Sequence, residues 1–283
     1  MNAKPAPSID LPADEGPANW HAELQLAFTA RTDRTVLSHR KHVGPLVVQR
    51  PFYPEGPVCH VYLIHPPGGI AGGDHLQLHA QLSAGAHAVI TTPAATKFYR
   101  AAPGRSSVLE QTLRVQSATL EWLPQETIYF NQAQAHAVTR IELDATSRCI
   151  AWEIGCYGRR AGDQPFVAGK VRQGFELWLN GKPLLLDHLH IDHNALQSAW
   201  GLQGKSVLGS LLAYPAGAAD VQAVRELGLD ATQLSCTLVD GALLCRCLSV
   251  DSADAKQLLL AVWQCLRPRI VGRNAVAPRI WAT

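Results

Sequence analysis

The segment His75-Leu-Gln-Leu-His-Ala-Gln-Leu82 alternates polar and apolar residues at every step. Successive side chains of an extended strand point to opposite faces, so the leucines and alanine share one face and the histidines and glutamines the other. Glu23-Leu-Gln-Leu-Ala-Phe-Thr-Ala30 carries the same alternation, and Ala86-His-Ala-Val-Ile-Thr-Thr92 follows after a turn at Ser83-Ala-Gly85. Further strands read at 107–115, 118–123, 135–143 and 148–153. Phe175-Glu-Leu-Trp-Leu179 meets Asn180-Gly181 ahead of a strand at 183–189, and Asp240-Gly241 separates strands at 233–239 and 242–250. Asn-Gly and Asp-Gly are strong hairpin signals, because the tightest hairpin turn places two residues at positive φ.

Helical patterning is sparse. Val221, Val224 and Leu227 predict a helix over 218–227, with Gly228 at its C-terminal cap. A second is predicted over 252–266: Ser252 suits the N-cap, Leu258, Leu259, Val262 and Leu266 form an apolar stripe, and Pro268 ends it. Arg267, Arg269 and Arg273 would then complement the negative end of the helix dipole. The fold class is therefore mainly β, with one or two α-helices toward the C-terminus. Alternation does not separate a sandwich, a barrel and a solenoid, and no fixed-period repeat singles one out.

A chain of 283 residues builds its own core without disulfides. Residues 1–19, rich in proline, alanine and acid, read as a disordered tail, and 20–283 as one β-rich domain. The tail lacks the apolar stretch of a secretory signal, and no run reaches the roughly 20 apolar residues of a membrane helix, so a cytoplasmic protein with no membrane contact is expected. A formal net charge of +2 without a basic run argues against nucleic acid. Only 17% of residues are charged against 47% apolar, which implies surface buried on partners or poor solubility alone. Seven cysteines at irregular spacing, among them the Cys245-x-Cys247 pair, read as reduced thiols used as small core residues.

The loop His65-Pro-Pro-Gly-Gly-Ile-Ala-Gly-Gly-Asp74 carries two glycine pairs, Gly68-Gly69 and Gly72-Gly73, closed by an aspartate. Glycine serves where the backbone needs positive φ or a close neighbour, so this is a shaped loop and not a linker. Thr91-Thr-Pro-Ala-Ala-Thr-Lys-Phe-Tyr-Arg100 gathers polar groups at a strand end. Together with Trp122-Leu-Pro-Gln-Glu-Thr-Ile-Tyr-Phe130 and Pro278-Arg-Ile-Trp-Ala-Thr283, these segments resemble the signature blocks of the UreD (UreH) family of urease accessory proteins, in the family's order and over most of the chain.

The resemblance implies a β-helical, solenoid-like fold. It also implies a non-catalytic scaffold that binds the urease apoprotein and the accessory proteins UreF and UreG, a GTPase, and helps deliver nickel to the urease active site. No G-x-S-x-G elbow, P-loop or G-x-G-x-x-G motif appears, so the residues themselves point to no enzyme, and GTP hydrolysis would belong to another protein. No tightly bound cofactor is expected, only transient Ni2+.

Among candidate site residues, Glu153 lies in the apolar run Cys149-Ile-Ala-Trp-Glu-Ile154, where a carboxylate is costly unless paired or wetted. Arg100, Arg159 or Arg160 would be its partner in a purely structural role. In a functional one, Asp74, Glu126 and Glu153, with Thr91 and Thr92, line a wet path whose sparse oxygen donors pass nickel on without trapping it, as the resemblance implies. Lys97, Tyr99 and Arg100 have the composition of an interface, or else snorkel around a buried Phe98. Trp281 belongs to a C-terminal segment that docks on its own core or on a partner. His188, His190, Asp192 and His193 cluster on a further strand. Two other functions stay open: a metal-dependent hydrolase with His65, Asp74, His75 and His79 as ligands, and a stand-alone nickel-binding chaperone.

Overall fold

A computed structural model describes residues 19–159, 162–230 and 233–282. The predicted tail therefore falls outside the described residues, apart from Asn19. In chain order the strands are β1 (His21–Ala30), β2 (Thr35–Val43), β3 (Val47–Val48), β4 (Cys59–Ile64), β5 (His75–Leu82), β6 (His87–Thr91), β7 (Thr96–Phe98), β8 (Ser107–Val115) and β9 (Thr119–Trp122). There follow β10 (Thr127–Tyr129), β11 (Gln134–Leu143), β12 (Arg148–Arg159), β13 (Gln164–Pro165), β14 (Lys170–Leu179) and β15 (Lys182–Ile191). Helix α1 (His193–Gln197), β16 (Val207–Tyr214), α2 (Ala218–Arg225), β17 (Leu234–Val239), β18 (Ala242–Ser249) and α3 (Ser252–Ile270) complete the set before a 3-10 turn at Arg279–Ala282.

The chain winds as a β-solenoid of about four turns. Each coil adds a parallel strand to each of two facing sheets. One face stacks β1, β5, β8, β11 and β14. The opposite face stacks β4, β6, β9 and β12. A narrow third ladder joins β7, β10 and the far half of β12, and along it Phe98, Tyr129 and Tyr157 stack with centroids 5.1 and 5.5 Å apart. The antiparallel strands β2 and β15 close the ends of the first sheet, while β16, β18 and β17 extend the second. The solenoid reading that the sequence owed to resemblance is the observed fold.

The alternation has its expected cause. Leu76, Leu78, Ala80 and Leu82 are buried between the sheets with Leu113, Leu120, Trp122 and Ile141. The second sheet is covered on both faces, because α3 lays Leu259, Val262, Trp263 and Leu266 over Ile150, Trp152 and Ile154 of β12 and Leu211 of β16. Strand β16 (VLGSLLAY) is buried at every position, so it has no period of two to read, and it was not predicted.

Three corrections concern the helices. Asp251, not Ser252, caps α3, its carboxylate accepting from the Ala253 N–H at 2.8 Å. Pro268 lies inside α3, which runs on to Ile270. Arg267 does not serve the helix dipole from solvent but is fully buried. A third helix, α1, was not predicted, and Asp192 of the proposed histidine cluster is its N-cap, accepting from the Ala195 N–H at 2.9 Å. No described helix is long and apolar enough to cross a membrane.

Candidate functional site

The glycine loop is built as its composition requires. Gly68 and Gly73 sit at φ +79° and +97°, a region side chains rarely adopt. Gly69 and Gly72 are needed for space: a Cβ on Gly69 would stand 2.3 Å from the Tyr99 ring, and one on Gly72 would stand 2.6 Å from the Ala101 Cβ. Asp74 ties the loop to the start of the solenoid, with Oδ1 accepting from the Trp20 N–H at 3.0 Å and Oδ2 from the Ala71 N–H at 2.8 Å. Tyr99, wedged against Gly69, packs edge-on to Phe130 at 5.3 Å. Substituting Gly69→Ala therefore destabilises the chain by about 1–3 kcal/mol, the cost of overpacking. In the Tyr99→Ala background the same change costs much less, and urea denaturation of the four proteins measures that non-additivity.

Behind the loop lie two adjoining cavities. The outer, of about 140 Å³, is walled by His65, Gly68, Gly69, Ile70, Thr92, Thr96, Lys97 and Gln111, among others. The inner, of about 30 Å³, shares Thr92, Thr96, Leu109 and Gln111 and adds Thr127, Thr139, Gln173 and Glu153. That volume has room for one or two waters, since a single water needs about 10–15 Å³. Burial lowers the His65 pKa against a smaller opposing pull from Asp74, and its Nε2 has no protein partner.

Glu153 is the ionisable group at the bottom. On β12, whose apolar residues are buried on both faces, it points inward and lines the inner cavity. Gln173 Nε2 donates to its Oε2 at 3.2 Å, and the Tyr157 hydroxyl donates to Gln173 Oε1 at 3.0 Å. The Thr139 hydroxyl lies within hydrogen-bond reach of both Glu153 and Gln111 Oε1, the latter at 2.8 Å, and its single proton serves one of them at a time. Burial drives the Glu153 carboxyl up to about 7, the Thr139 and Gln173 bonds hold it down, and Asp187 adds a little upward push. Its partners are thus neutral, not Arg100 or Arg159, and Arg160 lies outside the described residues. At neutral pH the group is poised between carboxylic acid and carboxylate.

The structure brings Thr92 and Glu153 into one cavity and disperses the other predicted path residues. Thr91, adjacent to Thr92, faces the opposite side of β6, where its hydroxyl donates to the Leu123 carbonyl and accepts from Trp281 Nε1 at 3.0 Å. Glu126 lines a separate groove of about 720 Å³ with Cys156, Tyr157 and Ser252. Asp74 is occupied by the loop. Lys97 borders the outer cavity, Tyr99 buttresses the loop, and Arg100 is exposed. Trp281 docks on its own chain, 5.3 Å from Trp152 and 5.9 Å from Trp263.

The histidines do not converge. His75 and His79 project from the outer face of the first sheet, where His75 Nε2 meets Glu110 at 3.1 Å, whereas His65 walls the cavity beneath. His188 meets Glu176 at 2.8 Å. Among the described residues no group of three or more His, Cys, Asp or Glu is placed to hold a metal ion. The hydrolase ligand set His65, Asp74, His75 and His79 is therefore not assembled. Sequence reasoning missed Gln111, Thr139 and Gln173, whose only signal is a polar residue at an inward position of an alternating strand.

A family model described as UreD urease accessory protein matches residues 21–282. The urease accessory protein UreD of Klebsiella aerogenes is 43% identical, covering 93% of this chain and 97% of its own. Those of Enterobacter sp. (strain 638) and Pseudomonas entomophila (strain L48) are each 41% identical, covering 96% and 98% of this chain and 98% and 99% of their own. On the family match over residues 21–282 and these identities, this chain belongs to the UreD family of urease accessory proteins.

Proposed function

We infer that the chain acts in the cytoplasm as a non-catalytic factor in urease maturation. It binds the urease apoprotein, joins UreF and the GTPase UreG, and passes Ni2+ through its interior toward the urease active site. One observation carries the nickel part: cavities that adjoin from the glycine loop inward to Glu153, whose largely apolar walls also present hydroxyl, amide and imidazole groups. Nickel accepts both imidazole and oxygen donors. A neutral His65 and a half-ionised Glu153, standing apart, offer a divalent ion successive weak contacts and no cage. The family's accessory role supports the partner reading, as does a chain poor in charged residues.

Co-expression with urease subunits, UreF and UreG tests it. The chain is expected to co-purify with apo-urease, and cells lacking it to hold urease that is largely inactive at physiological nickel. Isolated chain titrated with Ni2+ is expected to show few and weak sites. Full urease activity without the chain would overturn the reading, and many tight sites would favour a stand-alone nickel chaperone.

A further inference from the structure

The hairpin β17–β18 sets two cysteines side by side at the edge of the second sheet. Its two-residue turn, Asp240-Gly241 with both φ positive, makes Val239 and Ala242 the closing pair. In such a hairpin, hydrogen-bonded and non-hydrogen-bonded pairs alternate outward from a bonded closing pair. The Leu248 N–H donating to the Gln233 carbonyl at 3.0 Å fits that phase. Cys236 and Cys245 are directly opposed and fall on the non-hydrogen-bonded class, where side chains approach most closely. The Cα separation typical of such pairs, about 4.5 Å, lies in the range a disulfide spans.

The two thiols hydrogen-bond each other, and they differ in kind. Cys236 lies half-buried on the outermost strand, and the Cys245 hydrogen bond lowers its pKa, helped by the Arg225 guanidinium at the end of α2. Cys245 is buried and its pKa is raised, first by that same bond to Cys236 and then by burial. The pair thus joins a reachable thiol of lowered pKa to a buried neighbour of raised pKa, the arrangement of a redox-sensitive cysteine beside its resolving partner.

We propose that Cys236 and Cys245 form a peroxide-sensitive dithiol, with Cys236 as the attacking sulfur and Cys245 as the resolving one. The Cys236 thiol releases its proton to solvent, the thiolate attacks a peroxide oxygen and the O–O bond breaks. The departing hydroxide takes a proton back from solvent, so that a sulfenic acid and water result. Once Cys236 carries oxygen, the bond that held the Cys245 proton is lost. The Cys245 sulfur then displaces the sulfenic oxygen, which leaves as a second water with that proton. Overall, two thiols and hydrogen peroxide give one disulfide and two waters, the two electrons passing from sulfur to peroxide. A thiol reductant returns the disulfide to two thiols and is itself oxidised to a disulfide.

Peptide mapping of the full chain after brief hydrogen peroxide treatment tests this. Both cysteines lie in the single tryptic peptide between Arg225 and Arg246. That peptide is expected to lose two hydrogens and escape alkylation, and dithiothreitol to restore it, while Cys59, Cys149 and Cys156 stay alkylatable after denaturation. In Cys245→Ser, Cys236 is expected to persist as sulfenic acid and take up a dimedone probe. In Cys236→Ser, oxidation at Cys245 is expected to fall by about tenfold or more, since thiolate character and exposure set susceptibility. A wild-type peptide that remains a dithiol while other cysteines oxidise would overturn the proposal. A bond from Cys236 to Cys265 of α3, the other half-buried thiol, would overturn the pairing.

Discussion

Replacing Arg267 with methionine lowers the free energy of unfolding by about 3–5 kcal/mol, the cost of stripping the partner from buried charges. Arg267 is 0% exposed and spans two carboxylates that are likewise out of water. Its Nε and Nη2 donate to the two oxygens of Glu121 at 2.9 Å, and its Nη1 and Nη2 to those of Glu55 at 2.8 Å. Trp263 Nε1 adds a bond to Glu121 at 2.8 Å, and His87 and His60 meet Glu121 and Glu55 at 2.9 and 2.8 Å. Without the guanidinium, two carboxylates remain buried with only two imidazoles and the Trp263 indole N–H as partners. Changing Arg267, Glu55 and Glu121 together to apolar residues of similar volume is expected to cost far less, because such networks often replace at little loss. Urea denaturation of both variants makes the comparison.

The same network fixes an acid limit. Burial would raise the Glu121 carboxyl, but the His87 and Arg267 hydrogen bonds and the Arg267 charge outweigh it and hold the group at about 2, against an ordinary 4.5. The unfolded chain therefore binds this proton more readily than the folded one. The contribution, about 3 kcal/mol, is fully present above pH 4.5 and is lost as pH falls toward 2. Glu121→Gln is expected to flatten the stability profile across that window.

Glu153→Gln is expected to separate nickel loading from assembly. Complexes with urease, UreF and UreG should form as with the wild type. Nickel content of the urease should fall by about tenfold, the lower end of the loss when a side chain supporting a metal's ligands is removed. Complexes that fail to form would make Glu153 a structural residue. Stability supplies a second readout of opposite sign from Glu121. A carboxyl held at about 7 binds its proton more tightly in the folded state, so wild-type stability falls as pH rises from 4.5 through 7. Above pH 7 the penalty reaches about 3 kcal/mol, and the glutamine carries none. Thermal melts should show Glu153→Gln more stable than wild type at pH 8 and equal to it at pH 4.5.

The strands were legible because alternation is a local property. The predicted 107–115 strand coincides with Ser107–Val115, and both turns, Asn180-Gly181 and Asp240-Gly241, form as read. Where a strand is covered on both faces, as in β16, the alternation vanishes and so did the prediction. Glu153 was conspicuous because a carboxylate in an apolar run needs a reason. Its partners were not, since Gln173 and Thr139 come from other coils.

Amino-acid order alone determined which segments extend, where the hairpins turn and that the glycine loop is shaped, since each follows from backbone sterics within a few residues. The winding of the strands was legible only through likeness to a family. Three-dimensional packing decided the rest. Thr91, the last residue of β6, and Thr92, just beyond it, part to opposite sides because consecutive residues of extended chain do. Arg267 lies 146 residues from Glu121 and 212 from Glu55, and no local pattern records a bond that forms only once α3 folds back over the second sheet.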